Sequence, residues 1–136
     1  MTTPPASVLF VCVHNSGKSQ IAAAIARHEF PGVRVTSAGT APGRTVHAGS
    51  AETLAEAGLD ITGEQPQVIT DELVADAELV VVLGTEAQVT TVDGTPVARW
   101  EVDEPSVRGI EGAERMRLVR EDIRRQVRAL LGAAAP

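Results

Sequence analysis

Residues 7–13 (SVLFVCV) form an unbroken apolar, largely β-branched run. A strand with one wet face alternates apolar and polar side chains. This run does not alternate, so it must be covered on both faces, as in a parallel sheet between helical layers. The rest of the chain follows the same plan. Residues 21–30 read as an Ala-rich helix stopped by Pro31 and Gly32, and residues 33–37 as a short strand. Residues 48–57 read as a helix with Gly58 at its C-terminal cap. Residues 70–77 read as a short helix capped by Thr70, with Leu73 and Val74 facing inward. Residues 78–83 (ELVVVL) are a second buried-type strand, Asp93-Gly94 marks a turn, and residues 97–102 are a fourth strand. A Pro/Gly loop spans 103–112. A long helix over 113–131 carries Met116, Val119, Ile123, Val127 and Leu130 on one stripe. Strands alternating with helices predict an α/β chain: one domain over residues 1–136, a four-stranded parallel sheet with helices on both faces, and a frayed tail at 1–6.

Composition narrows the partners. The chain has 136 residues and a net charge of −6, which argues against nucleic acid or an anionic membrane surface. No apolar run reaches ~18 residues and no signal-peptide pattern opens the chain, so a cytoplasmic location is expected. The one cysteine, Cys12, excludes an intramolecular disulfide and a multi-cysteine metal site. No metal is expected. Phe10, Phe30 and Trp100 are the only aromatics, too few to wall a pocket. Of the 12 basic residues 11 are Arg, and the exception is Lys18.

Ligands of such sheets bind beyond the carboxyl ends of the strands. Two segments with reactive side chains emerge there: residues 12–19 and residues 103–109. The first, CVHNSGKS, ends like a nucleotide-binding phosphate loop, but Cys12 stands where that motif requires its first glycine. The same geometry serves another use. A strand entering a tight loop, and the loop entering a helix, bring backbone N–H groups and the helix's partial positive charge to one point, where a tetrahedral oxyanion binds. Val13, His14, Asn15, Ser16, Gly17 and Lys18 are the candidate oxyanion-binding residues. Cys12 lies beneath that anion, and the amides and Lys18 favour its thiolate. Ser19 can donate to the sulfur. Asn15 can adopt a left-handed backbone and tie the loop through its amide. His14 either touches the anion or faces water. His28 and His47 have no partner ligands in view and read as structural.

With these residues in place, the chain resembles the low-molecular-weight tyrosine phosphatase superfamily, and more closely its arsenate reductases. The resemblance runs from about residue 7 to 131. It rests on VLFVCVHNSGKSQIAAA, on Ser37-Ala38-Gly39, on Trp100 leading into Asp103-Glu104-Pro105, and on Met116-Arg117-Leu118-Val119-Arg120. It implies Cys12 as nucleophile, assisted by Lys18 and Ser19, and a general acid just before Pro105. That acid is Glu104, with Asp103 as the second candidate. The chain departs from the family in three ways. Lys18 replaces the arginine of the C-x5-R-S loop, exchanging a bidentate fork for a mobile point charge. Glu104 stands where Asp is usual. The stretch 84–91 (GTEAQVTT) lacks the two further cysteines that many of these reductases carry. Ala23 occupies a position that helps hold potassium in some relatives, so that site is not carried over.

Reducing As(V) to As(III) takes two electrons, hence two thiols, and this chain has one. The resemblance therefore points to the single-cysteine, mycothiol-dependent type, the arsenate–mycothiol transferases. Arsenate is then the substrate, with phosphate or sulfate as analogues. A low-molecular-weight thiol such as mycothiol is the co-substrate, a glutaredoxin-like mycoredoxin is the partner, and no cofactor is tightly bound. A phosphatase on the same scaffold and a non-catalytic oxyanion-binding paralogue are the alternatives. On the last helix Arg117, Arg120, Arg124 and Arg128 read as a solvated face, with Glu121 placed to pair with Arg125.

Overall fold

A computed structural model describes residues 4–90 and 94–132. Four strands, β1 (Ser7–Cys12), β2 (Arg34–Gly39), β3 (Leu79–Leu83) and β4 (Val97–Trp100), form one sheet in the order β2-β1-β3-β4. Every neighbouring pair is parallel, as expected. The helices are α1 (Lys18–Glu29), α2 (Ala48–Glu56), α3 (Asp71–Asp76) and α4 (Gly112–Leu131). The central strand shows why residues 7–13 carry no alternation. Val8 and Phe10 pack with α1, α2 and α4 in one core, while Leu9 and Val11 pack with Val74 and Ala77 at α3 in the other. All four of these β1 side chains are fully buried. Phe10 and Trp100 meet as a tilted ring pair with centroids 5.8 Å apart. No helix of the described residues is long and apolar enough to cross a membrane.

The differences from the expected boundaries have local causes. The first helix begins at Lys18, three residues earlier than Ile21, because the end of the polar loop supplies its first turn. The fourth strand ends at Trp100 rather than Val102. There the backbone turns to α4: the Glu101 carbonyl accepts from Gln126 Nε2 at 2.9 Å, and the Asp103 N–H donates to Asp122 Oδ2 at 2.8 Å. Within the expected 103–112 loop, Pro105–Arg108 form a 3-10 turn (η1) capped by Glu104. Thr70 caps α3 by accepting from the Leu73 N–H, and Gly58 follows α2 with φ +83°. Of the expected turn, Gly94 has φ +73°, while Asp93 lies outside the described residues, as do residues 1–3 of the expected tail. Ala6 is held at both ends, its N–H by Glu78 and its carbonyl by the Arg34 N–H.

The arginines of α4 form a solvated face only in part: Arg117 and Arg128 stay exposed, while Arg120 and Arg124 are half-buried, and all four have partners. Arg117 closes on Glu56 of α2, Arg120 donates to the Thr53 carbonyl at 2.7 Å, and Arg124 and Arg128 both grip Glu29 at the end of α1. Glu121 pairs with Arg120 and Arg124, and Arg125 pairs with Asp122 instead. Arg117, Arg124 and Arg128 fasten the last helix across α1 and α2 through Glu56 and Glu29, in addition to the pairs made within α4.

Candidate active site

The carboxyl end of β1 delivers Cys12 to the floor of an open cavity of about 630 Å³. The loop after it hangs from the segment that follows β2. The carbonyls of Cys12, Val13, His14 and Ser16 accept from the N–H groups of Thr40, Ala41, Gly43 and His47, at 3.2, 2.8, 2.9 and 2.7 Å. The loop's carbonyls are thereby drawn to that segment while the Asn15 N–H goes to the Cys12 sulfur, and α1 carries no acid in its first turn, a setting that suits an anion. Gly39 makes this approach possible. A Cβ there would stand 2.6 Å from the Val13 carbonyl oxygen and 2.9 Å from the Asn15 nitrogen. The glycine of Ser37-Ala38-Gly39 is thus a packing requirement of the loop, since only glycine leaves room.

Two donors converge on the Cys12 sulfur. The Asn15 N–H points to Sγ at 3.2 Å, and the Ser19 hydroxyl lies 2.9 Å from it. Asn15 sits at φ +51°, a left-handed conformation that Asn tolerates better than most side chains. It is fully buried, and each polar atom of its side chain is used. Its Oδ1 accepts from the Gln67 N–H at 3.0 Å, and its Nδ2 donates to Ser19 Oγ at 2.7 Å. Gln20 Nε2 donates to the Asn15 carbonyl at 3.0 Å. A backbone N–H can only donate, so Gln67 fixes which end of the Asn15 amide faces Ser19. The Ser19 oxygen therefore accepts from Asn15, and to a Cys12 thiolate, which can only accept, Ser19 gives its own proton. Cys12 is 8% exposed, which is enough to open onto the cavity and too little for bulk water to surround it.

Val13, His14, Ser16, Gly17 and Lys18 line the cavity with Cys12; Asn15 and Ser19 stand behind the lining and brace it. His14 Nδ1 donates to the Ala41 carbonyl at 3.0 Å, so the ring is tied to the loop's support. Lys18 has no carboxylate partner among the described residues. The opposite wall comprises Leu83, Gly84, Thr85, Glu86 and Ala87, with Glu101, Val102 and Glu104 at the rim. His47 also lines the cavity, where the sequence suggested only a structural residue. Its place before a helix was the available signal: His47 caps α2, with Nδ1 accepting from the Ser50 N–H at 3.3 Å. Gln20, Gln67 and Gly39, which hold the loop in shape, had no such signal in the sequence beyond glycine's place in Ser37-Ala38-Gly39.

The two acids before Pro105 part company. Glu104 lines the cavity, and Asp103 does not. Arg115 of α4 holds both oxygens of Glu104, Nε to Oε2 at 2.9 Å and Nη2 to Oε1 at 2.8 Å, and the Ser106 hydroxyl adds a third bond at 2.9 Å. Arg115, outweighing partial burial, pulls the Glu104 carboxyl down to about 2. Asp103 is held by Arg108 through two bonds of 2.8 and 3.0 Å, and that pairing lowers its carboxyl as well. Both groups are carboxylates at neutral pH in this arrangement, so Glu104 can deliver a proton only after it exchanges Arg115 for the anion or its leaving oxygen.

Known proteins place this geometry. A solved arsenate reductase from Archaeoglobus fulgidus is 32% identical, with a TM-score of 0.76 over 92% of this chain and 98% of that one. A thioredoxin-dependent arsenate reductase from Corynebacterium glutamicum is 30% identical, with a TM-score of 0.78 over 98% of this chain and 63% of that one. An arsenate reductase solved in its phosphate-binding state has a TM-score of 0.81 at 28% identity, over 95% of this chain and 98% of that one. The model of the low molecular weight phosphotyrosine protein phosphatases matches residues 7–135, and with its parallel four-stranded sheet this chain belongs to that family.

Proposed function

We propose that this chain is an arsenate reductase that uses Cys12 and an external thiol. The observation that carries the reading is a single sulfur, the only one a cysteine supplies in the chain, set beneath an oxyanion loop with two hydrogen-bond donors aimed at it. Solved arsenate reductases among its relatives support the same reaction.

In the first step the Cys12 thiolate attacks arsenic, a bond forms between sulfur and arsenic, and one oxygen leaves as water after taking protons. The loop amides and Lys18 hold the remaining oxygens. Glu104, freed from Arg115, is the residue placed to deliver the proton, and Asp103 is the second candidate. An external thiol then displaces Cys12 from arsenic and restores the enzyme. A second thiol attacks the sulfur of the released adduct. The electron pair of the sulfur–arsenic bond stays on arsenic, which leaves as arsenite, and the two thiols leave as a disulfide.

Mycothiol is our choice for the first thiol and a glutaredoxin-like mycoredoxin for the second, with no resident cofactor and a cytoplasmic setting. Support for this finer reading is the absence of further cysteines along 84–91. The test is arsenate reduction with mycothiol plus mycoredoxin, run beside thioredoxin and beside hydrolysis of an aryl phosphate. Turnover that needs mycothiol establishes the reading. Turnover with thioredoxin alone removes mycothiol from it, and aryl phosphate hydrolysis without arsenate reduction replaces it with a phosphatase. Phosphoryl transfer depends on clamping the equatorial oxygens, and the single ammonium of Lys18 clamps them less well than an arginine fork.

A further inference from the structure

A lysine carries its charge on a flexible four-carbon stem with freely rotating donors, so its surroundings must decide where the charge rests. The Lys18 ammonium stands on the side of Gly84 where a side chain would project. The site of a Cβ on that glycine lies 3.8 Å from Nζ, which is ordinary contact distance. Gly84 holds φ +92°, a backbone conformation suited to glycine, and its N–H donates to the Trp100 carbonyl at 2.9 Å. Its own carbonyl accepts from Arg99 Nη1 at 2.7 Å, and the Ala87 carbonyl accepts from Nη2 of the same guanidinium at 2.8 Å. One planar fork from β4 therefore bridges both ends of the 84–87 turn, and that turn is the cavity wall opposite the oxyanion loop.

We infer that Arg99 is a positioning residue for the oxyanion: by pinning the 84–87 wall through Gly84 and Ala87, it fixes where the Lys18 ammonium stands. The inference rests on the proposed reading of residues 12–19 as an oxyanion site and adds a specificity determinant to it. A guanidinium in the loop brings its own rigid fork. An ammonium needs a wall, and here an arginine outside the loop holds that wall in place. A purely structural role for Arg99 would cost stability alone, whereas a positioning role couples it to Lys18.

A double-mutant cycle on binding separates the two, without needing turnover. Inorganic phosphate affinity is measured by calorimetry for the unaltered chain, Arg99→Met, Arg99→Lys, Lys18→Met and Lys18→Met/Arg99→Met, with thermal melts to confirm folding. Arg99→Met is expected to weaken phosphate about five-fold, and Arg99→Lys should not rescue it, because one ammonium cannot bridge both carbonyls in a fixed plane. In the Lys18→Met background the same change should cost less than about two-fold, since residues acting through one another are non-additive. An equal loss in both backgrounds, or no loss in Arg99→Met, overturns the inference while the oxyanion reading stands. An unaltered chain that binds no phosphate overturns both.

Discussion

The side-chain amide of Asn15 donates to the Ser19 oxygen at 2.7 Å, and that same oxygen lies 2.9 Å from the Cys12 sulfur. A thiolate can only accept, so to the ionised nucleophile the bond is a donation. Ser19→Ala removes it. A hydrogen bond to a charged group is worth about 1.5–3 kcal/mol, so turnover at neutral pH is expected to fall about 10- to 100-fold. Single-turnover kinetics with arsenate would check this, and an unchanged chemical step would show that the Asn15 N–H alone suffices.

Cys12→Ser is expected to abolish turnover and to keep phosphate binding and the melting temperature close to those of the unaltered chain. The hydroxyl fits where the thiol stood but is a far weaker nucleophile at neutral pH. Residual arsenate reduction above a few per cent would remove Cys12 from the mechanism.

Lys18→Arg exchanges the point charge for a bidentate fork. The expected outcome is a larger gain in aryl phosphate hydrolysis than in arsenate reduction, measured on the same preparation. Parallel changes in both would contradict the reasons given for a lysine here.

Gly39→Ala places a methyl group 2.6 Å from the Val13 carbonyl oxygen. Overpacking of this kind costs about 1–3 kcal/mol, and the displaced loop should lose oxyanion affinity along with stability. Chemical denaturation and phosphate titration on one sample would show both losses. Stability unchanged by the substitution would mean that the loop moves away freely.

The ion pair of Arg115 with Glu104 gives a pH signature whose sign is fixed. The folded-state value of about 2 lies below the ordinary value near 4.5. The pair's stabilising contribution is therefore complete above about pH 4.5 and is lost as pH falls through 2. Exposure of more than a third of the Glu104 side chain keeps the contribution small. Melts between pH 5 and 2 should slope less steeply for Glu104→Gln and for Arg115→Met than for the unaltered chain. Kinetically, Glu104→Gln should slow the chemical step about 10²- to 10⁴-fold if Glu104 is the general acid. A large loss confined to Asp103→Asn would transfer that role to Asp103.

The parts of this molecule that depend on neighbours in sequence were legible before any coordinates. An apolar run without alternation dictated the parallel sheet, and its two faces indeed meet different cores. The stripe of α4 was visible at helical spacing, with Val119, Ile123 and Val127 buried and Met116 and Leu130 at its margins. The loop from Cys12 to Ser19 announced itself through glycine, asparagine and a helix start. Distant pairings were not legible. Gln67 reaches Asn15 across 52 residues, and Arg115 reaches Glu104 from a different element. The α4 arginines looked solvent-facing because periodicity reports which side of a helix is apolar and is silent on which acids lie beside it.

The cavity has one further consequence. Cys12 is 8% exposed and lines the cavity, so its sulfur meets the outside through the cavity mouth, and whatever follows the oxyanion must come in by the same doorway. Reactants that share an entrance take turns. A chain that carries its second thiol within itself can run both halves of a two-electron reaction behind a closed door, whereas this one has to let the first departing group clear the threshold before the next sulfur arrives. The order of events is thus written into the architecture of the entrance: arsenic already sits on Cys12 when the external sulfur comes in.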